Sequence, residues 1–264
     1  MRPVADLAPH AAALRGVFSD IDDTLTHDGA VVVDAYAALA RARAAGLRVV
    51  LVTGRPAGWA EVLASVWPVD AAIAENGGIA YLKRGRRLER VYFAPGDPED
   101  DARRLAALSA DILGTFPFAR KSDDSGLRIT DAAFDIGETQ HLAPAEIEAI
   151  TARCRELGAR TLVSSVHAHA CFHDADKAQM SARVAGILWD EPPSDVAEHY
   201  AFVGDSPNDQ AAFAFFASSI GVANVARYVD VLRPPPRYIT TSPAGHGFAE
   251  ALDVILAGGA ATAA

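Results

Sequence analysis

The chain has 264 residues, half of them apolar and 22% charged, with a formal net charge of −10. This length and composition predict a soluble globular protein with one core and a smaller second unit, and they exclude a disordered or fibrous chain. The acidic balance gives no electrostatic reason to approach nucleic acid or an anionic membrane, so we expect neither as a partner.

The N-terminal segment and the two cysteines bear on the location of the protein. Asp6, Pro9 and Arg15 interrupt the alanine-rich start of the chain, so we expect neither a secretory signal nor a membrane helix. Cys154 and Cys171 are too few for a disulfide framework and lack C-x-x-C spacing. We therefore expect a reducing compartment, with the cytoplasm as the default.

The first predicted strand, residues 16–19, runs directly into an acidic segment, D-I-D-D-T-L at residues 20–25. In an extended chain Asp20 and Asp22 point the same way, and two carboxylates about 4 Å apart repel by roughly 4 kcal/mol at an effective dielectric constant of about 20. A bound Mg²⁺ would offset that repulsion. An EF-hand calcium loop is disfavoured because Leu25 stands where its glycine is required, whereas a simple acidic cap on the following turn is an alternative.

A strand, helix, strand unit continues from this segment. Helix formers over residues 33–45 are followed by Gly46, which is typical of a helix C-terminus, and a β-branched run over residues 47–52 predicts a second buried strand. Thr53, Gly54 and Arg55 follow that strand and offer a hydroxyl, a backbone N–H and a guanidinium, which suit phosphate oxygens. A plain strand-to-helix turn is the alternative interpretation.

The middle of the chain has an alternation of its own. The basic residues between 83 and 90 are typical of a solvated hairpin, and Asp97 before Pro98 is a helix N-terminus signal. We name residues 93–173 the insert and expect it to form an α/β unit within a core of residues 1–92 and 174–264. Its predicted elements are a helix over 97–113, a strand over 127–136, a helix over 144–157 and a strand over 160–172.

A second acidic segment, G-D-S-P-N-D at residues 204–209, follows an apolar strand predicted at residues 200–203. A helix predicted from 209 to 216 and a strand from 219 to 222 complete an alternation that favours a parallel sheet with helices on both faces. Both acidic segments then meet at the carboxyl edge of one sheet, where a metal and a phosphate would offset their repulsion. Two unrelated helix caps are the alternative.

Four motifs in this order resemble those of the haloacid dehalogenase superfamily. The segment at residues 20–25 is similar to its first motif, Thr53 to its second, Lys177 to its third and the segment at residues 204–209 to its fourth. E-N-G-G at residues 75–78 and the insert resemble the subgroup that includes Cof-type and sucrose-phosphate phosphatases. The resemblance, from residue 17 to about residue 248, implies an α/β fold: a Rossmann-like core with a parallel sheet flanked by helices, plus an inserted α/β cap domain.

The resemblance also implies a mechanism and a cofactor. Asp20 would attack phosphorus and form an aspartyl phosphate, while Asp22 would protonate the leaving oxygen and then activate water. The implied Mg²⁺ ligands are Asp20, the main-chain carbonyl of Asp22, Asp205 and, as a further candidate, Asp209. The implied phosphate-binding residues are Thr53 and Lys177, with Gly54 and Asn208 as additional candidates.

In the insert, specificity for the substrate is expected from charged and imidazole side chains. The candidates are Arg120, Lys121, Arg128, His167 and His169. His167 and His169 lie on one face of a predicted strand, and a zinc site with His173 is a disfavoured alternative because no cysteine or matching carboxylate pattern accompanies them.

The expected function is hydrolysis of a small phosphorylated metabolite, a sugar phosphate being the class that the resemblance favours. A phosphomutase of the same fold is one alternative, since the aspartyl phosphate could pass to a second sugar hydroxyl. A catalytically silent metabolite-binding protein is another, although a pure binder needs neither a nucleophile nor a general acid. Either a monomer or a homodimer is compatible with the sequence.

Overall fold

The computed structural model describes residues 1–94, 98–164 and 166–260. Its strands are β1 (Arg2–Pro3), β2 (Gly16–Ser19), β3 (Thr26–His27), β4 (Ala30–Val31), β5 (Arg48–Val52), β6 (Ala71–Ala74), β7 (Ile79–Arg84), β8 (Arg87–Tyr92), β9 (Asp131–Asp135), β10 (Arg160–Val163), β11 (His167–Cys171), β12 (Tyr200–Gly204), β13 (Ser218–Gly221) and β14 (Tyr238–Ile239). Its α-helices are α1 (Ala8–Ala11), α2 (Val33–Ala44), α3 (Ala57–Val66), α4 (Pro98–Thr115), α5 (Pro144–Glu156), α6 (Lys177–Trp189), α7 (Pro193–His199), α8 (Gln210–Phe215) and α9 (Ala244–Ala260).

One large sheet runs in the order β1-β14-β13-β12-β2-β5-β6-β7-β8. Neighbouring strands from β1 to β6 pair in parallel, whereas β7 is antiparallel to both β6 and β8. The basic residues between 83 and 90 lie in the β7–β8 hairpin, as expected. The strands β2, β5 and β12 at the centre are almost wholly buried, which explains their continuous apolar sequences.

Helices cover both faces of the large sheet. Val17 of β2 belongs to an apolar cluster with residues of α2, α3 and α9, and the next residue, Phe18, belongs to a second cluster with residues of α6 and α8. Successive side chains of a strand point to opposite faces, so each central strand contributes to both clusters. The prediction of an α/β fold with a parallel sheet flanked by helices is confirmed.

The chain leaves the large sheet after β8 and returns to it through α6. Between them, β9, β10 and β11 form a separate antiparallel sheet in the order β10-β11-β9, and its apolar cluster includes Ile112 of α4 and Ile150 of α5. This cluster gives the insert apolar packing of its own.

Two strand predictions in the insert are wrong. The strand expected over residues 127–136 is only Asp131–Asp135, because residues 125–127 form a 3-10 turn. The single strand expected over residues 160–172 is a hairpin of β10 and β11. Repeated apolar and β-branched residues hide such a reversal from pattern analysis. The expected N-cap, Asp97, lies outside the described residues.

A helix suited to a bilayer would have to be both long and apolar. Among the described residues no helix meets both conditions.

Candidate active site

The acidic segments lie at the carboxyl ends of the central parallel strands. Asp20 follows β2, Asp205 follows β12 on one side of it, and Thr53 follows β5 on the other. Open parallel sheets bind ligands at this edge. One carboxylate oxygen each of Asp20, Asp205 and Asp209 lies within 4.8 Å of the others, and all three residues are buried.

Lys177, the first residue of α6, reaches into this acidic cluster. Its side chain is fully buried, and Nζ donates to Asp20 Oδ1 at 2.8 Å and to Asp209 Oδ1 at 2.6 Å. Burial opposes the charge on the amine, but the two carboxylates outweigh it and raise the pKa of Lys177. The site therefore has a fixed positive charge beside the proposed nucleophile.

The loop after β12 is held by its own carboxylate. Asp209 Oδ2 accepts from the backbone N–H groups of Asp205, at 2.9 Å, and Ser206, at 3.1 Å. On the other side, Asp205 Oδ2 accepts from Asn224 Nδ2 at 2.9 Å and from Arg227 Nη2 at 3.0 Å. These contacts fix the position of the Asp205 carboxylate.

The negative charge of the three buried carboxylates is only partly balanced by Lys177 and Arg227. Burial raises the pKa of Asp20 well above its ordinary value, and Lys177 opposes only part of that rise. Burial, followed by the charge of Asp209, raises the pKa of Asp205 to about 7. A divalent cation would supply the missing charge, and a donor set made only of oxygen atoms fits Mg²⁺.

Asp22 is engaged by Arg55, the residue that the sequence suggested for phosphate. Arg55 Nε donates to both carboxylate oxygens of Asp22 at 3.0 Å, and Nη2 donates to Oδ1 at 2.9 Å. Arg55 Nη1 donates to Glu138 Oε1 of the insert at 3.1 Å. One guanidinium therefore joins Asp22 in the core to a carboxylate in the insert.

The core and the insert together enclose a cleft of about 390 Å³. Its lining residues are Asp20, Asp22, Gly54, Arg55, Ser164, Val166, His167, His169, Asp205, Ser206 and Asn208. A second cavity of about 400 Å³ shares His169 and Asn208 with this cleft and extends to Arg160 and His173. Both ring nitrogens of His173 are buried, and neither has a hydrogen-bond partner among the described residues. Together the two cavities extend from the carboxylates of Asp20 and Asp205 to Arg160 and His173.

His169 is fixed by a buried ion pair. Its Nδ1 donates to Asp131 Oδ2 at 2.8 Å, and Arg128 Nη1 donates to Asp131 Oδ1 at 2.9 Å and to the carbonyl of Gly54 at 3.1 Å. Burial opposes the charge on Asp131, but Arg128 and His169 lower its pKa to about 2. Arg128 therefore holds the insert against the core and orients His169 through Asp131.

The remaining candidates are placed differently. The hydroxyl oxygen of Thr53 is buried and accepts from the Arg55 N–H at 3.0 Å, and Asn208 Oδ1 accepts from Ser206 Oγ at 2.6 Å. Arg120 and Lys121 are exposed, and Lys121 lines a different cavity beside α4.

Glu75 connects the core to the segment before β9. This buried carboxylate accepts from the N–H of Ala57 at 2.8 Å, from the N–H of Ile129 at 3.0 Å, and from the N–H and hydroxyl of Thr130. Burial, followed by the charge of Asp131, raises the pKa of Glu75 to about 7. Glu75 therefore ties α3 to the base of the insert.

Several of these residues escaped the sequence analysis. E-N-G-G at residues 75–78 drew attention to Glu75 only as part of a motif. Glu138, Asn224 and Arg227 stand outside any motif, so their contacts with the site follow only from the tertiary structure.

A sequence comparison with protein families and one with characterised proteins both indicate a hydrolase. A sequence model of the haloacid dehalogenase-like hydrolases matches residues 17–108. A phosphoglycolate phosphatase of Pyrobaculum neutrophilum is 30% identical over 245 residues, which are 91% of this chain and 95% of that protein.

Solved structures share the fold at lower identity. Protein 0175 of Thermoplasma acidophilum has a TM-score of 0.72 at 17% identity, covering 92% of this chain and 99% of its own. The sucrose-phosphatase of Synechocystis, solved with sucrose and phosphate, has a TM-score of 0.63 at 18% identity, with coverages of 92% and 98%. A haloacid dehalogenase-like hydrolase of B. subtilis has a TM-score of 0.65 at 17% identity, with coverages of 91% and 99%.

Proposed function

Because this chain belongs to the haloacid dehalogenase-like hydrolases and is a phosphatase, we propose that it hydrolyses a small phosphate monoester in a magnesium-dependent reaction with Asp20 as nucleophile. The observation that carries this proposal is the buried cluster of Asp20, Asp205 and Asp209 around Lys177 at the carboxyl edge of the central strands. A purely structural cluster would place like charges together at a cost of several kcal/mol without benefit.

The reaction has two steps. A carboxylate oxygen of Asp20 attacks phosphorus, the bond from phosphorus to the ester oxygen breaks, and Asp22 gives its proton to the departing oxygen. Asp22 then takes a proton from water, whose oxygen attacks phosphorus and releases inorganic phosphate from Asp20. Thr53 and Lys177 hold the phosphoryl oxygens, with Gly54 and Asn208 as additional candidates.

The residues that would hold Mg²⁺ are Asp20, Asp205, the main-chain carbonyl of Asp22 and, as a further candidate, Asp209. When bound, the ion neutralises phosphoryl charge so that a carboxylate can approach phosphorus. Asp209 already accepts hydrogen bonds from Lys177 and from the N–H groups of Asp205 and Ser206. Its main role is therefore to position Lys177 and this loop.

We propose that the insert, residues 93–173, is a cap domain over a core of residues 1–92 and 174–264. Its His167 and His169 line the cleft opposite the core carboxylates, which favours them as contacts for the organic part of the substrate. Arg128 acts on His169 through Asp131, because it donates a hydrogen bond to Asp131, which in turn holds His169 in position. Arg120 and Lys121 are exposed and carry less weight in this proposal.

The proposed substrate is a small phosphorylated metabolite, either a sugar phosphate or phosphoglycolate. Sugar phosphates are favoured by the cap type and by the sucrose-phosphatase fold relative, and phosphoglycolate by the name of the Pyrobaculum relative. We further propose that the protein is cytoplasmic, because its two cysteines are free. We propose that it acts as a monomer or a homodimer.

The test is phosphate release from para-nitrophenyl phosphate, 2-phosphoglycolate, glycerol 3-phosphate and glucose 6-phosphate, with Mg²⁺ and with EDTA. The Asp20→Asn variant should lose turnover of every ester, whereas Asp34→Asn, at an exposed aspartate, should match the wild type. Retained activity in Asp20→Asn would overturn the mechanism. Phosphate transfer that requires a sugar bisphosphate would instead identify a mutase.

A further inference from the structure

The guanidinium of Arg55 is shared between the core and the insert. Two of its nitrogens, Nε and Nη2, donate to the carboxylate of Asp22 at 2.9 to 3.0 Å. The third, Nη1, donates to Glu138 Oε1 at 3.1 Å. Since Arg55 follows β5 of the large sheet and Glu138 follows β9 of the small sheet, this contact links the proposed general acid to the insert.

Glu138 is itself held in place from two sides. Its backbone N–H donates to Asp135 Oδ1 at 2.8 Å, and its Oε2 accepts from His167 Nε2 at 2.8 Å. The His167 side chain is only 3% exposed and lines the catalytic cleft. The carboxylate of Glu138 is therefore fixed relative to the wall that the insert presents to substrate.

The geometry of a guanidinium transmits that position. Its nitrogen atoms lie in one plane, so a partner that fixes Nη1 also fixes the edge formed by Nε and Nη2. The ring of Trp59 lies 4.8 Å from the Arg55 guanidinium carbon and restricts its tilt from one face. Asp124 Oδ2 of the insert lies 3.7 Å from Nη1, beyond hydrogen-bond distance, so Glu138 is the hydrogen-bond acceptor that fixes this edge of Arg55.

Proton transfer makes strict demands on this alignment. Asp22 must direct one carboxyl oxygen towards the departing group while its carboxyl also accepts hydrogen bonds from Arg55. A misplacement of about 1 Å can lower the rate about a hundredfold. Glu138 also shares the positive charge of Arg55, so that charge is not balanced by Asp22 alone. Both effects operate only while the insert lies against the core.

We propose that Glu138 is a positioning residue that acts on Asp22 through Arg55, so that closure of the insert aligns the general acid. The proposal rests on the proposed function, because it concerns proton transfer during ester cleavage. The contact between Arg55 of the core and Glu138 of the insert would thus link closure of the insert to the alignment of Asp22, and Glu138 stands outside every motif of the sequence.

The test compares leaving groups. Para-nitrophenolate is a weak base and departs without a proton, whereas an alkoxide needs one, so loss of general acid alignment affects alkyl esters selectively. We would measure kcat/KM for para-nitrophenyl phosphate and for the best alkyl ester among 2-phosphoglycolate, glycerol 3-phosphate and glucose 6-phosphate. The value of kcat/KM reports the steps up to ester cleavage, and the Asp22→Asn variant gives the limiting selectivity.

Glu138→Gln should lower kcat/KM for the alkyl ester about tenfold and for the aryl ester less than about threefold, with KM nearly unchanged. Glu138→Asp should recover part of the alkyl activity. The matched control is Glu156→Gln, which alters an Arg–Glu pair on α5 in the same insert and should match the wild type. A thermal unfolding curve for each variant verifies folding, and if Glu138→Gln does not fold, Arg55→Lys should show the same selective loss.

Each outcome separates the two proposals. An equal loss on both esters, or none, would overturn the positioning role of Glu138 while Asp20-dependent turnover by the wild type still supports the phosphatase mechanism. A wild type without Asp20-dependent turnover of any ester would overturn the proposed mechanism, and the role of Glu138 with it.

Discussion

Replacing Glu75 by glutamine should remove a large pH-dependent contribution to the free energy of unfolding. Burial raises the pKa of this carboxyl from its ordinary 4.5 to about 7 in the folded protein, the charge of Asp131 adds to the rise, and hydrogen bonds from Thr130 and Ala57 oppose it. The folded state therefore prefers the protonated carboxyl. Its contribution to stability is complete below about pH 4.5 and is lost as the pH rises through about 7.

The magnitude follows from the two pKa values. A rise from 4.5 to about 7 corresponds to about 3 kcal/mol between the two ends of that range. Glutamine cannot ionise, and it also loses one acceptor for the Thr130 N–H, which adds a constant cost of about 1 to 3 kcal/mol. The unfolding free energy of the wild type minus that of Glu75→Gln should thus fall by about 3 kcal/mol between about pH 4 and about pH 8.

Urea unfolding at intervals across that range, with EDTA present, measures this difference. Other titrating groups are common to both proteins and cancel in the subtraction. The control is Glu89→Gln, at a half-exposed glutamate of the β7–β8 hairpin, which should give a nearly flat difference. A flat curve for Glu75→Gln, or one that rises with pH, would refute the assignment of a protonated buried carboxyl.

Three further results are expected. Lys177→Met should abolish turnover and lower the unfolding free energy by about 3 to 5 kcal/mol, because the buried carboxylates of Asp20 and Asp209 lose their cation. Unchanged stability in urea unfolding would contradict this expectation. Gly77→Ala should unfold at a lower temperature, because φ is +110° and a Cβ atom would lie 2.4 Å from the carbonyl oxygen of Asp176, whereas Gly85→Ala, with φ of +64° and open space, should cost only about 1 kcal/mol. Mg²⁺ should raise the unfolding temperature of the wild type more than that of Asp20→Asn, and equal shifts would argue against Asp20 as a ligand.

The strands β1, β6 and β14 have no counterpart among the predicted strands, whereas sequence patterns predict the central strands β2, β5, β12 and β13 of the large sheet because these strands are buried on both faces. Such strands are continuous apolar runs with polar residues directly after them, as at Val17–Asp20 and Tyr200–Asp205. The order of the strands was not readable in this way. That β2 lies between β5 and β12 depends on crossover connections, and it is this order that brings Asp20 beside Asp205.

The insert was harder to predict because its strands are short and its turns lack strong signals. The reversal between β10 and β11 carries no glycine or proline, so the run from Arg160 to Phe172 resembles one long strand. The partners of the site residues were equally hidden. The sequence indicates Arg55 as a cation suited to phosphate, but its contact with Asp22 depends on side-chain directions that the local sequence does not determine.

The two ends of the large sheet differ in a way that bears on self-association. An outer strand exposes unpaired N–H and C=O groups, which invite a strand from another molecule. At one end β8 carries the exposed charges of Arg87, Glu89 and Arg90, so an added strand would bring its side chains against charged groups. At the other end β1 has only two residues, and one of them is Pro3, which has no N–H to donate. Among the described strands, both edges of the large sheet are thus protected against the addition of a strand from another molecule.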